Sequence, residues 1–419
     1  MARAGDDSRL PSLAGAKWLI EPATRAVFAA LLAEGAKARA VGGAVRNALM
    51  GTPVKDIDIA TTALPNDVMR LAKKASLHAV PTGIEHGTVT VVAHNTPFEV
   101  TTLRRDIETF GRHARVTFTT DWREDALRRD FTMNALYCTA DGTVHDPIGG
   151  HGDLTARRVR FIGDAHARIR EDYLRILRFF RFSAQLGNGV PDTEGLAAAI
   201  AEKAGLANLS GERVRTELLL LLAAPAAVEA LGVMDAAEIL DPWIEKPANI
   251  KRLARLADIE AVLKREGDPV LRLAALTHDK DLAAPTRLQS RLRLSAAEAA
   301  HLTRAGVRDP ALEPGSNERA AQVFLYRHGA DAFIDGALMA WACSSDPPDD
   351  AKRTWHVALP QRWRAPELPV RGADVLELGI PAGPQVGRVI AAFEDWWIAH
   401  DFPCDPERAR VKLRELARL

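Results

Sequence analysis

Strand-like patterning stops early in this sequence, and that limits what it can fold into. Between Ala38 and Cys138 short β-type runs alternate with turns: KARAVGG, DIDIAT, GTVTVVAH, FEVTTL and FTMNALYCTADG, with one helical stretch, NDVMRLAKKA, between two of them. After DPIGG at 146–150 the pattern changes to Ala/Leu/Arg/Glu helical periodicity and keeps it to the end. A chain divided in this way has material for one small sheet, so the expected class is α+β: a small mixed α/β head followed by an all-helical remainder. Pro and Asp cluster at DPWIEKP (241–247) and SSDPPDD (344–350), where helices are expected to break. The expected domains are therefore 1–145, 146–240, 241–345 and 346–419.

Charge excludes a general attraction to polyanions. The 55 Lys and Arg residues balance 55 Asp and Glu, so a nucleic acid would have to meet a local basic surface. From His151 to Ala184 arginines outnumber acids, which offers such a surface just after the head. Three cysteines, Cys138, Cys343 and Cys404, form no CxxC pair, which argues against a disulfide framework or a cysteine zinc site. The opening MARAGDDSRLPSLAG carries acids and lacks an apolar core, and no run of eighteen apolar residues occurs. A cytoplasmic location away from membranes is the expectation.

Five stretches carry candidate chemistry. In VKDIDIATT, Ile57 and Ile59 alternate with Asp56 and Asp58, so on a strand the two carboxylates share a face while the isoleucines meet a core. Such a pair repels itself unless a divalent cation neutralises it, and hard oxygen ligands favour Mg2+. A half-exposed strand with outward acids has the same pattern. In VGGAVRNALMG, Gly42 and Gly43 follow a strand and open a helix, where backbone N–H groups can approach phosphate and Arg46 can join them. FEVTTLRR supplies Glu99, a third acid if its strand lies beside the first two. Three carboxylates holding two metals is an arrangement used in nucleotidyl transfer. In EDALRRDFTMNAL, Arg128 and Arg129 precede Asp130 and Asn134; arginines can clamp a triphosphate, or form a surface ion pair at a helix end. Finally EDYLRILRFFRF (171–182) reads as one helix with Asp172, Arg175, Arg178 and Arg181 at three-residue steps, either a salt-bridged stripe or a reading surface.

The order GGAVR, DID, FEVTTLR, GRHA, RRDFTMNAL and EDYLRILR resembles the class II CCA-adding tRNA nucleotidyltransferases and their relatives, the bacterial poly(A) polymerases, over roughly residues 38 to 185. The resemblance implies a polymerase beta-like head with a helical neck, body and tail, acting on tRNA with CTP and ATP, with no stable protein partner. It implies that Asp56 and Asp58 bind the catalytic Mg2+ ions, and that Gly43 and Arg46 contact the triphosphate. Arg129 would meet the nucleotide near its ribose, Asp172 and Arg175 would read the base, and Arg178 and Arg181 would line the same pocket and the triphosphate side. Cytosine and adenine both offer an amino donor beside a ring-nitrogen acceptor, so an Asp acceptor beside an Arg donor complements them and opposes uracil and guanine. Two departures stand out: Asn47 follows Arg46 where the family pattern GGxVRD has Asp, and Phe110 precedes GRHA where Asp is usual.

PTGIEHGTVTVV and DIETFGRHARVTFTTDW look more like CCA-adding members than like the polymerases, although a poly(A) polymerase would share the head. A metal-dependent phosphohydrolase of HD type is a distant alternative, from His278-Asp279 in LAALTHDKD; His301, His328 and His356 form no recognisable set around it. The stretch around Gly383 resembles the family's tail segment, implied to contact the tRNA elbow, while Trp396 and Trp397 are expected in a core.

Overall fold

Period-two burial builds the sheet. The run TVTVVA is β4 (Thr88–Ala93), with Val89, Val91 and Ala93 buried, and β5 (Thr96–Thr102) turns Phe98, Val100 and Thr102 inward while Glu99 stays exposed. His94 and Asn95 join them in a two-residue turn with φ of 48° and 62°, the left-handed pair that suits a tight hairpin. The remaining strands are β1 (Ala38–Val41), β2 (Asp58–Thr61), β3 (His78–Gly83), β8 (Tyr137–Cys138) and β9 (Val144–His145), and the seven lie in the order β3-β4-β5-β2-β1-β8-β9. Only β2 and β5 run parallel. A separate hairpin pairs β6 (Arg104–Phe110) with β7 (His113–Phe118).

The computed structural model describes residues 10–110, 113–187, 189–244, 248–277, 284–315 and 317–418. The chain divides into two compact units, 1–248 with 290–293 and 249–289 with 294–419. In the first unit the sheet is followed by helices that include Ala165–Glu171, Leu174–Leu186 and Gly211–Leu222. Leu174–Leu186 is joined to the head by rings: Phe131 lies 4.9 Å from Phe161 and 5.5 Å from Phe182, and Phe161 lies 5.3 Å from Phe179, all of them buried. Leu174, Leu177 and Phe180 are buried beside them, as their helical spacing requires.

Two expectations fail locally. EDYLRILRFFRF is not one helix: Asp172 has φ −157° and ψ 107°, and separates Ala165–Glu171 from Leu174–Leu186. Its carboxylate accepts the Leu174 N–H at 3.1 Å, the kind of side-chain bond that competes with the helical ladder. FTMNALYCTADG is strand only at Tyr137–Cys138. Thr132–Asn134 form a 3-10 turn instead, because Asp130 accepts from the Phe131 N–H at 2.8 Å and from Asn134 Nδ2 at 3.0 Å.

The elements of the second unit are all helices among its described residues. Its longest helix, Glu318–Cys343, is interrupted at Gly329, whose φ of 82° favours glycine. Trp341 and Phe333 are fully buried, and Trp397 and Phe393 centre a further cluster against which Trp396 is half-buried. Both late tryptophans thus serve packing.

The rings at the head-to-neck junction predict a large cost for truncation. Phe179→Ala is expected to lower unfolding free energy by about 3–5 kcal/mol, read in chemical denaturation. A loss under about 1 kcal/mol would mean that the site collapses without a cavity.

Candidate active site

The acids sit where the sheet runs out of cover. Alternation puts Asp58 and Ala60 on one face of β2; Ala60 is buried with Ala126, Ala135 and Tyr137, whereas Asp58, at the strand's first position, is exposed. Asp58 faces Val41 on β1 and Glu99 on β5, so the parallel pairing brings two carboxylates to adjacent rungs of one face. Asp56 is exposed and lies two residues before the strand begins, and correspondingly Ile57 is only half-buried while Ile59 is fully buried. The protein packed around Asp58 lifts its carboxyl above the ordinary range; Glu99 and Asp56 add to this and Arg129 opposes it.

That mutual repulsion, on hard oxygen donors alone, fits a divalent cation. Among the described residues no three acidic, histidine or cysteine side chains already close into a metal cage. The acids form an open platform, suited to a cation that also takes substrate phosphate oxygens as ligands.

Beside the platform stands an arginine cluster. Gly42 has φ 69° and ψ −122°, a glycine conformation, and a Cβ there would stand 3.7 Å from Arg129 Nη1. It turns the chain into the helix Gly43–Leu49, whose Arg46 is buried. Arg46 donates Nη1 to Asn134 Oδ1 at 2.6 Å, and Nε and Nη2 to Asn47 Oδ1 at 3.1 and 2.9 Å. The guanidiniums of Arg46, Arg178 and Arg181 lie 4.8, 5.4 and 3.9 Å from the ring centre of Phe182. Burial first, and then the cations Arg181 and Arg178, lower the Arg46 pKa to about 10 despite Asp130.

Buried or half-buried carboxylates hold the other arginines. Asp130 accepts from Arg178 Nε at 2.9 Å and Nη2 at 2.7 Å, while Glu217 accepts from Arg181 Nε at 2.5 Å and Arg178 Nη1 at 3.3 Å. Asp125, only 1% exposed, accepts from Arg128 at 2.8 Å, Arg129 at 3.0 Å and the Tyr137 hydroxyl at 2.8 Å. Burial pushes the Asp125 carboxyl up, but Arg129, Arg128 and Tyr137 together bring it down to about 2. Asp125 and Glu217 were not among the candidates from sequence. The first has a local signal, an acid three and four residues before two arginines; the second is an acid set among leucines in TELLLLL.

Asp172 and Arg175 do not pair with each other. Asp172 Oδ2 accepts from Arg213 Nη2 at 2.6 Å, while Arg175 Nη1 donates to Glu171 and, at 2.8 Å, to the Arg168 carbonyl. Arg168 in turn donates to the carbonyls of Arg128 and Arg129, which ties the helix Ala165–Glu171 to the arginine pair. Gly111 and Arg112 of the GRHA stretch, and the His278-Asp279 pair, lie outside the described residues. His301 pairs with Asp335 at 3.0 Å, His328 packs on Phe324 and His356 on Phe333, and among the described residues they form no metal-ligand group.

Residues 38–160 match the family described as the Poly A polymerase head domain. The human mitochondrial CCA tRNA nucleotidyltransferase 1 is 34% identical over 389 residues, covering 86% of this chain and 82% of that protein. The CCA-adding enzyme of Geobacillus thermodenitrificans is 36% identical over 401 residues, covering 90% and 92%. The chain belongs to the CCA-adding tRNA nucleotidyltransferase family. A solved CCA-adding enzyme from Bacillus stearothermophilus, in complex with CTP, matches at TM-score 0.74 and 30% identity, over 95% of this chain and 98% of that one. A polymerase beta-like α/β head followed by helices is the fold of this chain as of the CCA-adding family. Nucleotidyltransferases of this kind use divalent metal ions, in keeping with the acid platform.

Two stability effects of opposite sign follow. A raised pKa means that the folded state grips the Asp58 proton more tightly than the unfolded chain does. Its charge therefore costs stability above the raised pKa and nothing once pH is below about 4. Asp58→Asn is expected to raise the melting temperature by about 1–3 °C at pH 7 without divalent cation, and by nothing in acid. Asp125 is the reverse: its depressed pKa stabilises the fold above the ordinary carboxylate range, and the gain fades as pH falls towards 2. Asp125→Asn is expected to cost about 3–5 kcal/mol at neutral pH and progressively less in acid, measured by denaturation across pH.

Proposed function

We propose that the chain adds C, C and A to the 3′ end of tRNA from CTP and ATP, without a nucleic-acid template, releasing pyrophosphate at each step. The observation that carries the reading is the presence in one compact unit of an open carboxylate platform, Asp58 and Glu99 on neighbouring rungs of the sheet, and of the Arg46–Arg178–Arg181 cluster, to which the helix Leu174–Leu186 brings two of the three arginines. Phosphoryl-type transfer needs those two things, a cation seat and a place for charge on the leaving group.

In this reading Asp56 and Asp58 hold the metal ions, assigned as Mg2+, with Glu99 as the third acid. Bound Mg2+ supplies activation of the terminal 3′-hydroxyl and neutralises charge as pyrophosphate leaves. The chain's own residues place the reactants for in-line attack on the α-phosphate: Gly43 and Arg46 seat the triphosphate, Arg178 and Arg181 line it, and Arg129 sits towards the ribose. Asp172 and Arg175 select the base; each Asp172 oxygen has a second lone pair beyond the donor it already accepts. Mispaired groups in such a pocket cost about 1–3 kcal/mol each, which rejects U and G when two are mispaired. Residues 1–145 act as catalytic head and 146–240 as base-reading neck, while 241–345 and 346–419 hold the tRNA as body and tail. A reducing compartment, the cytoplasm, suits the exposed free thiols of Cys343 and Cys404. No described helix is long and apolar enough to cross a membrane.

The deciding experiment incubates the protein with tRNA lacking its terminal CCA, and with CTP, ATP or both. Addition that stops after CCA is expected; a long A tail from ATP alone would identify a poly(A) polymerase. Asp56→Ala should lose at least about 10³-fold in incorporation of both nucleotides while tRNA binding persists, and retained turnover would remove the metal assignment. Replacing Arg175 should relax base choice, and an unchanged preference for CTP and ATP over UTP and GTP would sink the template.

A further inference from the structure

Each of the other arginines around the seat has a carboxylate partner. Arg128 and Arg129 rest on Asp125, Arg175 on Glu171, Arg178 on Asp130 and Glu217, and Arg181 on Glu217. Arg46 differs. Its hydrogen-bond partners are two neutral amide oxygens, Oδ1 of Asn47 and Oδ1 of Asn134.

Both amides are oriented from their far ends. Asn47 Nδ2 donates to the Pro53 carbonyl at 3.2 Å, which turns Oδ1 towards Arg46, and Asn134 Nδ2 donates to Asp130 Oδ1 at 3.0 Å with the same effect. An amide oxygen accepts the bonds a carboxylate would accept, but brings no charge. Around the Phe182 ring the three cations Arg46, Arg178 and Arg181 meet the two anions Asp130 and Glu217, so the cluster keeps a formal charge of +1, and it resides on Arg46.

We infer that Asn47 is a positioning residue that aims Arg46 without neutralising it, leaving that guanidinium with no carboxylate partner of its own, so that its charge anchors the nucleotide's triphosphate. The inference rests on the nucleotide-binding reading above and goes beyond it by giving the departure from GGxVRD a function. Asn47 acts on polyphosphate affinity through Arg46 and has no part in base choice or in the metal platform.

Asn47→Asp would place a carboxylate against Arg46 while keeping the shape. With tRNA ending before CCA, its KM for CTP and for ATP is expected to rise about tenfold, with kcat within about threefold of the parent, since ground-state anchoring and not the chemical step is weakened. By calorimetry, inorganic tripolyphosphate and CTP should bind about tenfold more weakly, whereas CMP should lose under about twofold. Asn47→Ala keeps the charge but frees the side chain, and should weaken tripolyphosphate about threefold. If Asn47→Asp does not fold, as a thermal melt would reveal, the Ala variant carries the same polyphosphate-against-CMP comparison. Wild-type affinity for tripolyphosphate in either folded variant overturns the inference, as does an equal loss for CMP and CTP or a fall in kcat at unchanged KM. Tripolyphosphate binding is measured without tRNA, so a parent that binds it but adds no CCA would discard the proposed reaction and leave the role of Asn47 standing.

Discussion

Asp130 can keep a charge inside the first unit only because Arg178 takes one of its oxygens in two hydrogen bonds and the turn Phe131–Asn134 takes the other. Arg178 belongs to the neck and Asp130 to the head, and the same guanidinium reaches Glu217 on a second neck helix. Separating any of these elements would strand a desolvated ion, at a cost of about 3–5 kcal/mol for one broken buried pair. The buried rings set how closely head and neck approach; the ion chain sets the register at which they meet. Arg46 hangs from the same assembly through Asn134, so the geometry of the seat follows from the packing that holds the fold together.

This division explains what could be read from the residues in order. Alternation in TVTVVA and FEVTT reports burial on a pleated surface, a local property, and β4 and β5 formed where it pointed. That Glu99 would share a face with Asp58 needed one further fact, the parallel pairing of β2 with β5, which joins residues 41 positions apart. The end of cover at Asp58 depends on what packs over Ala60, and nothing within DIDIAT records that. The break at Asp172 escaped notice because the periodicity of EDYLRILRFFRF continues through it. An Asp whose own side chain bonds the backbone two residues on is a helix starter as readily as a helix member.

Charge pairing was harder still to read. Spacing rules on a helix reach three or four residues, and so can suggest Asp125 with Arg128 and Arg129 or Glu171 with Arg175. The pairs Asp172 with Arg213 and Arg181 with Glu217 span 41 and 36 residues. An acid in a leucine run announces that it must be satisfied, not by whom. Motif order could not supply these pairs either, since the resemblance spans roughly residues 38 to 185 and Arg213 and Glu217 lie beyond it.

The site as built holds two opposed strains. Asp56, Asp58 and Glu99 crowd negative charge on one side, where burial first and then the neighbouring acids raise the Asp58 carboxyl; Arg46, Arg178 and Arg181 crowd positive charge around a single ring on the other, where burial first and then the neighbouring cations lower the Arg46 guanidinium. Neither is relieved by closing the protein on itself, because the platform and the cluster are each held apart by partners of their own, the sheet register on one side and the buried acids on the other. In the proposed reading a nucleoside triphosphate with its cations would relieve both together, cations to the acids and phosphates to the arginines. Binding of either alone would satisfy half of the site and leave the other half repelling itself, so that reading couples cation and nucleotide affinity through electrostatics that the fold has fixed beforehand.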